Sequence, residues 1–285
     1  MSAYKVKTNI MRVIIYLVLV MLVVICIVPI WIMIVNATRS TPEIQEGISL
    51  LPSISTTANW TYLTGKGFDV GRGFLNSSLI AVSATVLTVY FSLMTAYAIQ
   101  VYNFKMKKFM FGLVMALVLI PTQVGIIGFQ QYMSALGIPK LPWPLPYIPL
   151  IFPAIAAPGA VFFAKQYLES CIVPDLIDAA RIDGCSEIGI FHRIMMPIAA
   201  PGAFTLAIFA FVASWNNFFT PFLLISKMDM YTLPMLVQTL RGDMYRTNYG
   251  GIYMGLTISI LPIVVVYAIF SRYIVSGIAM GALKE

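Results

Sequence analysis

Stretches free of Asp, Glu, Lys and Arg dominate the chain, over 13–38, 73–104, 109–139, 141–164, 194–226 and 247–271. Each is longer than the roughly 18 apolar residues that mark a helix able to cross a bilayer. The period-two alternation of a membrane barrel strand is absent. A backbone in lipid must satisfy its own donors and acceptors, so the six windows predict six transmembrane helices. Polar positions collect between them, in segments that are short except for Arg39–Gly73, which carries Pro42, Pro52 and the hydroxyl cluster Ser53–Thr57.

Two windows carry more than length. The second is rich in small and hydroxylated residues, among them Ser77, Ala81, Ala84, Thr88, Ser92 and Ala96. Small side chains let helix backbones approach and hydroxyls bond across the interface, so this helix is expected to face protein. The fourth holds Pro142, Pro144, Pro146, Pro149, Pro153 and Pro158. Proline removes a donor and frees a carbonyl. Either a kinked helix lines a pathway here, or an irregular outer segment precedes a helix starting near Leu150.

Between the fourth and fifth windows lies a short polar, amphipathic stretch. Pro174 suits a first helical turn, and Asp175 and Asp178 suit the positive end of the helix dipole. Leu176, Ala179, Ala180 and Asp183 recur at helical spacing on one face, and Asp178 can pair with Arg181 three residues on. Gly184 permits the left-handed residue that ends a helix, and Ser186 can cap a second one running toward Ile194. The pattern predicts a helix over 175–183, roughly 13 Å long at 1.5 Å per residue, then a corner and a second helix. Such a rod fits a groove on a partner; an amphipathic helix lying on the inner leaflet is the alternative.

Composition agrees with a membrane protein. Of 285 residues, 60% are hydrophobic and only 10% charged, with a mean hydropathy of +0.88, whereas a soluble domain carries about 25% charged residues. Placing the N-terminus inside puts eleven Lys and Arg on the inner side against seven outside. The compact Lys105, Lys107 and Lys108 group weighs most in this count. Both termini and the 165–193 segment are therefore expected inside. The net charge of +7 reflects this bias and not nucleic-acid binding. Lys5, Lys7 and Arg12 precede a run too long for a signal peptide, so the first span reads as an uncleaved anchor. Cys26, Cys171 and Cys185 are scattered, without disulfide or metal spacing. The sequons at Asn59 and Asn76 are short enough to arise by chance.

Several function classes fall away. The sole histidine, His192, sits on the inner loop, so no intramembrane Ser–His pair can form. No window holds an ionisable Asp, Glu, Lys or Arg for coupling to ions, which disfavours a secondary transporter. No Gly-x-x-x-x-Gly-Lys-Ser/Thr phosphate loop occurs.

The inner stretch resembles the EAA loop of ABC-transporter permease subunits. Ala179, Ala180, Gly184, Ile194 and Pro197 fall on its spacing, with Asp178 for the usual Glu and Met196 for the usual Leu. Trp215-Asn216-Asn217 through Pro221, Thr232-Leu233-Pro234 and the closing Gly277 to Lys284 are similar to segments of the carbohydrate-type permeases. The resemblance implies an all-α integral membrane protein with six transmembrane helices of the type I ABC importer permease fold and a cytoplasmic coupling helix between spans 4 and 5. It divides the chain into a cytoplasmic N-terminus (1–12), an anchor helix (13–36), an extracytoplasmic loop (37–73), a permease core (74–272) containing the EAA-like loop (168–200), and a cytoplasmic tail (273–285). It implies a non-catalytic pore subunit for a sugar or oligosaccharide in a bacterial inner membrane. Another polar neutral solute is the alternative, or an ion-coupled carrier.

The implied partners are a second homologous permease subunit, two ATPase subunits and an extracytoplasmic solute-binding protein, besides membrane lipid. No cofactor is expected in this chain; ATP and Mg belong to the ATPases. Asp175, Asp178, Ala179, Ala180, Arg181, Asp183 and Gly184 are the expected ATPase-coupling residues. Gln123, Gln130, Trp215, Asn216 and Asn217 are candidates for the substrate pathway. Tyr231, Arg241 and Tyr245 are candidates for contact with the binding protein.

Overall fold

The computed structural model describes residues 2–65, 68–240 and 247–282. Arg241 and Tyr245 lie outside the described residues. In chain order the helices are α1 (Ser2–Asn36), α2 (Thr41–Glu46), α3 (Thr56–Gly65), α4 (Val70–Val101), α5 (Lys107–Val118), α6 (Ile126–Ala135) and α7 (Ile148–Ile151). There follow α8 (Pro158–Cys171), α9 (Pro174–Ile182), α10 (Glu187–Ile190), α11 (Met196–Trp215), α12 (Phe219–Leu224), α13 (Leu233–Thr239) and α14 (Tyr249–Ala282).

Among the described residues, four helices are long and apolar enough to cross a membrane: Met11–Asn36, Val70–Val101, Glu187–Trp215 and Tyr249–Ser271. The third and fourth windows are not single rods. Lys107–Val118 and Gln123–Ala135 meet at 74°, and Leu145–Ile155 and Pro158–Cys171 at 40°. Proline explains both breaks. Pro121 sits at φ −63°, ψ 123°, where an extended backbone interrupts the helix and no N–H is available to continue it. Ala156 and Ala157 leave the helical region at ψ 71° and 88°, the second as expected of the residue crowded by the ring of Pro158. Both readings of the proline-rich segment find a counterpart: irregular turns lead to a helix that begins at Ile148, and a 40° bend follows before α8.

A carbonyl beside that bend finds a partner. The oxygen of Ala154 lies in the 3-10 turn Phe152–Ile155, just before the kink. The hydroxyl of Thr88 on α4 donates to it at 3.2 Å.

The chain forms two compact units, Met1–Phe68 with Val237–Ile260, and Asp69–Leu236 with Leu261–Glu285. In the first, the segment after α1 folds around buried polar groups. Arg39 donates to Asn36 Oδ1 at 3.1 Å, to the carbonyl of Gly47 at 2.9 Å and to the carbonyl of Glu43. Buried Asn59 donates to the carbonyls of Ala37 and Arg39, both at 2.9 Å. Ser40 and Glu43 form a capping box on α2, and Ser53 Oγ donates to the same carboxylate at 2.7 Å. A Cβ on Gly250, in the first turn of α14, would collide with Arg39 and Asn59, so this glycine is needed for close approach. Asn59 and Asn76 are both buried, which leaves neither sequon open to a glycan.

In the second unit α4 packs against α8 and α11, as its small residues predict. Ala96, Leu93 and Tyr97 of α4 share a core with Ala164 and Leu168 of α8, Ile177 and Ala180 of α9, and Ile190, Phe191, Met195, Ala199 and Leu206 further on. The ring of Tyr167 lies directly on Gly202 of α11, where a Cβ would overlap it.

Candidate functional site

The stretch from Pro174 to Ile194 forms the predicted corner. Pro174 is the first residue of α9 and Val173 its cap. Gly184 adopts φ +79°, and the N–H of Cys185 bonds the carbonyl of Ala180 at 3.0 Å while that of Gly184 bonds Arg181, also at 3.0 Å. This is the paired bonding of a Schellman end, which a left-handed glycine makes possible. No atom lies within 4 Å of a Cβ built on Gly184, so its requirement is one of backbone conformation alone. Ser186 then caps α10, its Oγ accepting from Gly189 N at 3.2 Å. From there the helix runs through a π-helical turn, Phe191–Met195, into α11.

α9 presents two faces, and they correct the expected one. Ile177 and Ala180 are buried in the core beneath. Leu176, Ala179, Ile182 and Asp183 are exposed, Ile182 by 87%. Ala180 therefore packs inward and not beside Ala179, because at about 100° per residue it lies on the flank toward Ile177. Asp183 is the C-cap, one position past the helix. The exposed ridge carries apolar Leu176 and Ile182 among Asp175, Asp178 and Asp183.

Arg181 bonds Asp178 Oδ1 at 3.1 Å, the expected pair, and also Glu187 Oε1 through Nε at 2.8 Å and Oε2 through Nη2 at 3.4 Å. The hydroxyl of Tyr102, the C-cap of α4, donates to Glu187 Oε2 at 2.6 Å. The Glu187 carboxylate, with lesser help from Asp178, holds the guanidinium of Arg181 still more firmly protonated than usual. Glu187 and Tyr102 were not among the sequence candidates. The only signal was a carboxylate beside a capping serine.

A second feature is an open cleft of about 580 Å³ between α4, the kinked segment and α11. Its walls include Ala84, Thr88, Leu150, Ala154, Ala157, Gly159, Phe163, Phe209, Ser214 and Asn217, and none of its lining residues is charged. Of the pathway candidates only Asn217 reaches it. Its Oδ1 also accepts from Thr220 N, in the first turn of α12, at 3.3 Å. Trp215 is the last residue of α11 and is buried against Phe211 and Phe74, with ring centroids 5.5 and 6.0 Å away. Its indole is thus engaged in packing at the end of its helix. Asn216 is the exposed C-cap. Gln123 lies in the 3-10 turn at the 74° break and Gln130 on α6, near Ser134; neither lines the cleft.

Toward the Asn76 end of α4, the segment 229–233 is pinned down. Asn76 Nδ2 donates to the carbonyls of Asp229 and Tyr231, both at 3.1 Å, and its Oδ1 accepts from Trp143 Nε1 at 3.2 Å. Leu233 N donates to Ser77 Oγ at 2.9 Å, and Tyr147 OH to Met230 O at 3.0 Å. Tyr231 is half-buried against the cluster of Ile80, Tyr147, Ile225, Met230 and Met235, so it lies on the body of the unit and does not project from it.

Comparison with known proteins agrees with this architecture. An ABC transporter crystallised from a bacterium, described as involved in import of the acidic polysaccharide alginate, has a chain that superposes with a TM-score of 0.75 at 18% identity, covering 93% of this chain and 96% of that one. The arabinooligosaccharides transport system permease protein AraQ of Halalkalibacterium halodurans is 38% identical over 86% of each chain. The protein of that name from Bacillus subtilis is 30% identical over the full length of both. The trehalose/maltose transport system permease protein MalG of Thermococcus litoralis is 30% identical over 93% of this chain and 94% of its own. The model of the binding-protein-dependent transport system inner membrane component family matches residues 91–280, a span that takes in the corner and all of the cleft's lining except Ala84 and Thr88, and the chain belongs to that family.

Proposed function

We propose that this chain is a non-catalytic permease subunit of an ATP-driven importer and that, with a second homologous permease subunit, it forms the pathway for a neutral sugar or oligosaccharide. A binding protein delivers the solute, and two ATPase subunits supply the energy. The observation that carries this reading is the corner: an exposed nine-residue helix, a left-handed glycine, and a second helix continuous with a membrane-length one. Displacement of the ridge by a partner is passed to α11 through a defined angle. The ATPases are the partner in this reading, and both termini and the corner face the cytoplasm. The uncharged cleft supports a neutral solute, since a multivalent anion would find no counter-charge there. The relatives named for arabinooligosaccharides and for trehalose and maltose support a carbohydrate.

Three measurements test this. In the reconstituted importer, Gly184→Val should abolish coupled ATP hydrolysis and uptake while membrane insertion persists, because a β-branched residue at positive φ is strongly disfavoured. Gly184→Asn should retain much more activity, since asparagine tolerates that region. Equal activity of both variants would sink the coupling role. For orientation, a membrane-impermeant thiol reagent applied outside intact cells should label Ser53→Cys and Asp229→Cys but not Lys107→Cys or Glu187→Cys. Finally, a labelled neutral oligosaccharide should be taken up in preference to an acidic one of equal length, and the reverse preference would overturn the solute class.

A further inference from the structure

The exposed ridge of α9 explains how a partner could grip the corner but not what keeps the corner's angle. The only covalent path from α9 to α10 runs through Gly184, whose surroundings are empty. The second path runs through Glu187. Both of its oxygens are engaged, Oε1 by Arg181 Nε and Oε2 by Arg181 Nη2 and Tyr102 OH. The guanidinium also lies over the Tyr102 ring, 5.8 Å from its centroid, and that ring meets Tyr97 edge-on at 5.9 Å. One carboxylate thus joins three elements: α9 through Arg181, the start of the α10–α11 helix through its own backbone, and the end of α4 through Tyr102.

Magnitudes separate a positioning role from a merely stabilising one. The side chains of Arg181 and Glu187 are 35% and 44% exposed, and ion pairs at such exposure contribute little to stability. The fold beneath is held by the buried cluster of Ile177, Ala180, Ile190 and Phe191 with α4 and α8. The directional part is what the polar bonds add, because a carboxylate bound through both oxygens fixes orientation as well as distance.

We propose that Glu187 and Tyr102 are positioning residues of the coupling corner, tying α9 to the end of α4 so that a docked partner moves α4 and α11 together. This rests on the docking reading of α9 given above.

The test uses the complete importer, with both permease subunits, the ATPases and the binding protein, in lipid vesicles. Tyr102→Phe removes one hydroxyl and keeps the ring; Glu187→Gln removes the charge and keeps the shape. Both should retain wild-type amounts of ATPase subunit and wild-type basal hydrolysis. Solute moved per ATP should fall by about three- to tenfold, in line with loss of a hydrogen bond to a charged group that is partly screened. Spin labels at Ile182→Cys and Lys105→Cys, with the native cysteines replaced, should report a narrow distance distribution that both variants broaden. Wild-type solute per ATP with an unchanged distribution would overturn the proposal, and so would loss of the ATPase subunits from both variants, which would mark a structural role. Failure of the docking reading shows elsewhere, as full coupling in Gly184→Val.

Discussion

The two ends of α4 are fastened by opposite chemistry. At the Asn76 end the holding bonds are mainly neutral and sheltered: an amide and a hydroxyl hold backbone groups of Asp229, Tyr231 and Leu233, and the Asn76 side chain is almost fully removed from solvent. One exposed ion pair, Arg72 to Asp229, lies beside them. At the Tyr102 end the bonds join charged side chains that remain a third to two-thirds exposed. A buried neutral amide has no alternative partner, so its geometry is effectively single-valued. A half-exposed ion pair can exchange protein for water at small cost. One end is built as an anchorage and the other as a joint, which is what the proposed docking of a partner at the corner would require.

This contrast can be broken most severely at the anchorage. Asn76→Leu leaves two part-buried carbonyls and the indole N–H of Trp143 without their partner, and should cost about 2–4 kcal/mol, read as a large drop in the thermal midpoint of the detergent-solubilised complex. Close by, Arg72→Ala removes a 3.4 Å pair to Asp229 with both side chains about half exposed, and should cost less than about 1 kcal/mol. If the two variants fall by similar amounts, burial is not what distinguishes the anchorage.

The smallest effect is expected at Glu43 in the other unit, where a charge is held by neutral donors. The Ser40 backbone N–H, with the hydroxyls of Ser53 and Ser40, holds its carboxyl below the ordinary carboxylate range. A folded-state value below the unfolded one means the contribution is present above the unfolded pKa, about 4.3, and disappears as pH falls through the lower folded value. Protease susceptibility of the segment 40–53 should therefore rise at pH 3 relative to pH 6, and Glu43→Gln should flatten that difference.

Much of this was legible in the residue pattern. Charge-free windows overlap the four membrane-length helices among the described residues and the two bent pairs, and Pro174, Gly184 and Ser186 specify the corner almost to the residue, because caps and left-handed glycines act locally. What the pattern could not convey was which way side chains point once helices pack. Ala180 was grouped with Ala179 by spacing, yet the core under α9 claimed it. The pattern puts Trp215 and Asn216 side by side, but at the helix end the large indole packs with Phe74 and Phe211 while Asn216 is exposed. Gln123 and Gln130 were read on one continuous span, and the break at Pro121 sets them apart from the cleft. Glu187 and Asn76 depend on partners 85 and 153 residues away, beyond any local rule. Thr88 lies between these cases: the pattern predicts that hydroxyls bond across helices, but the bond to the carbonyl of Ala154 requires knowing which segment faces α4.

The π-helical turn at Phe191–Met195 sets the rotational phase between the corner and the membrane helix it leads into. Such a turn accommodates one residue more than the α-helical count, and one residue is about 100° of rotation at 3.6 residues per turn. Upstream of it, Glu187 must point to Tyr102; downstream, Gly202 must point to Tyr167. A regular helix would index both faces by a single count, so turning one toward its partner would turn the other away. The extra residue decouples them, and the azimuth of the corner becomes a quantity that a single insertion or deletion can reset without disturbing how the span itself is packed.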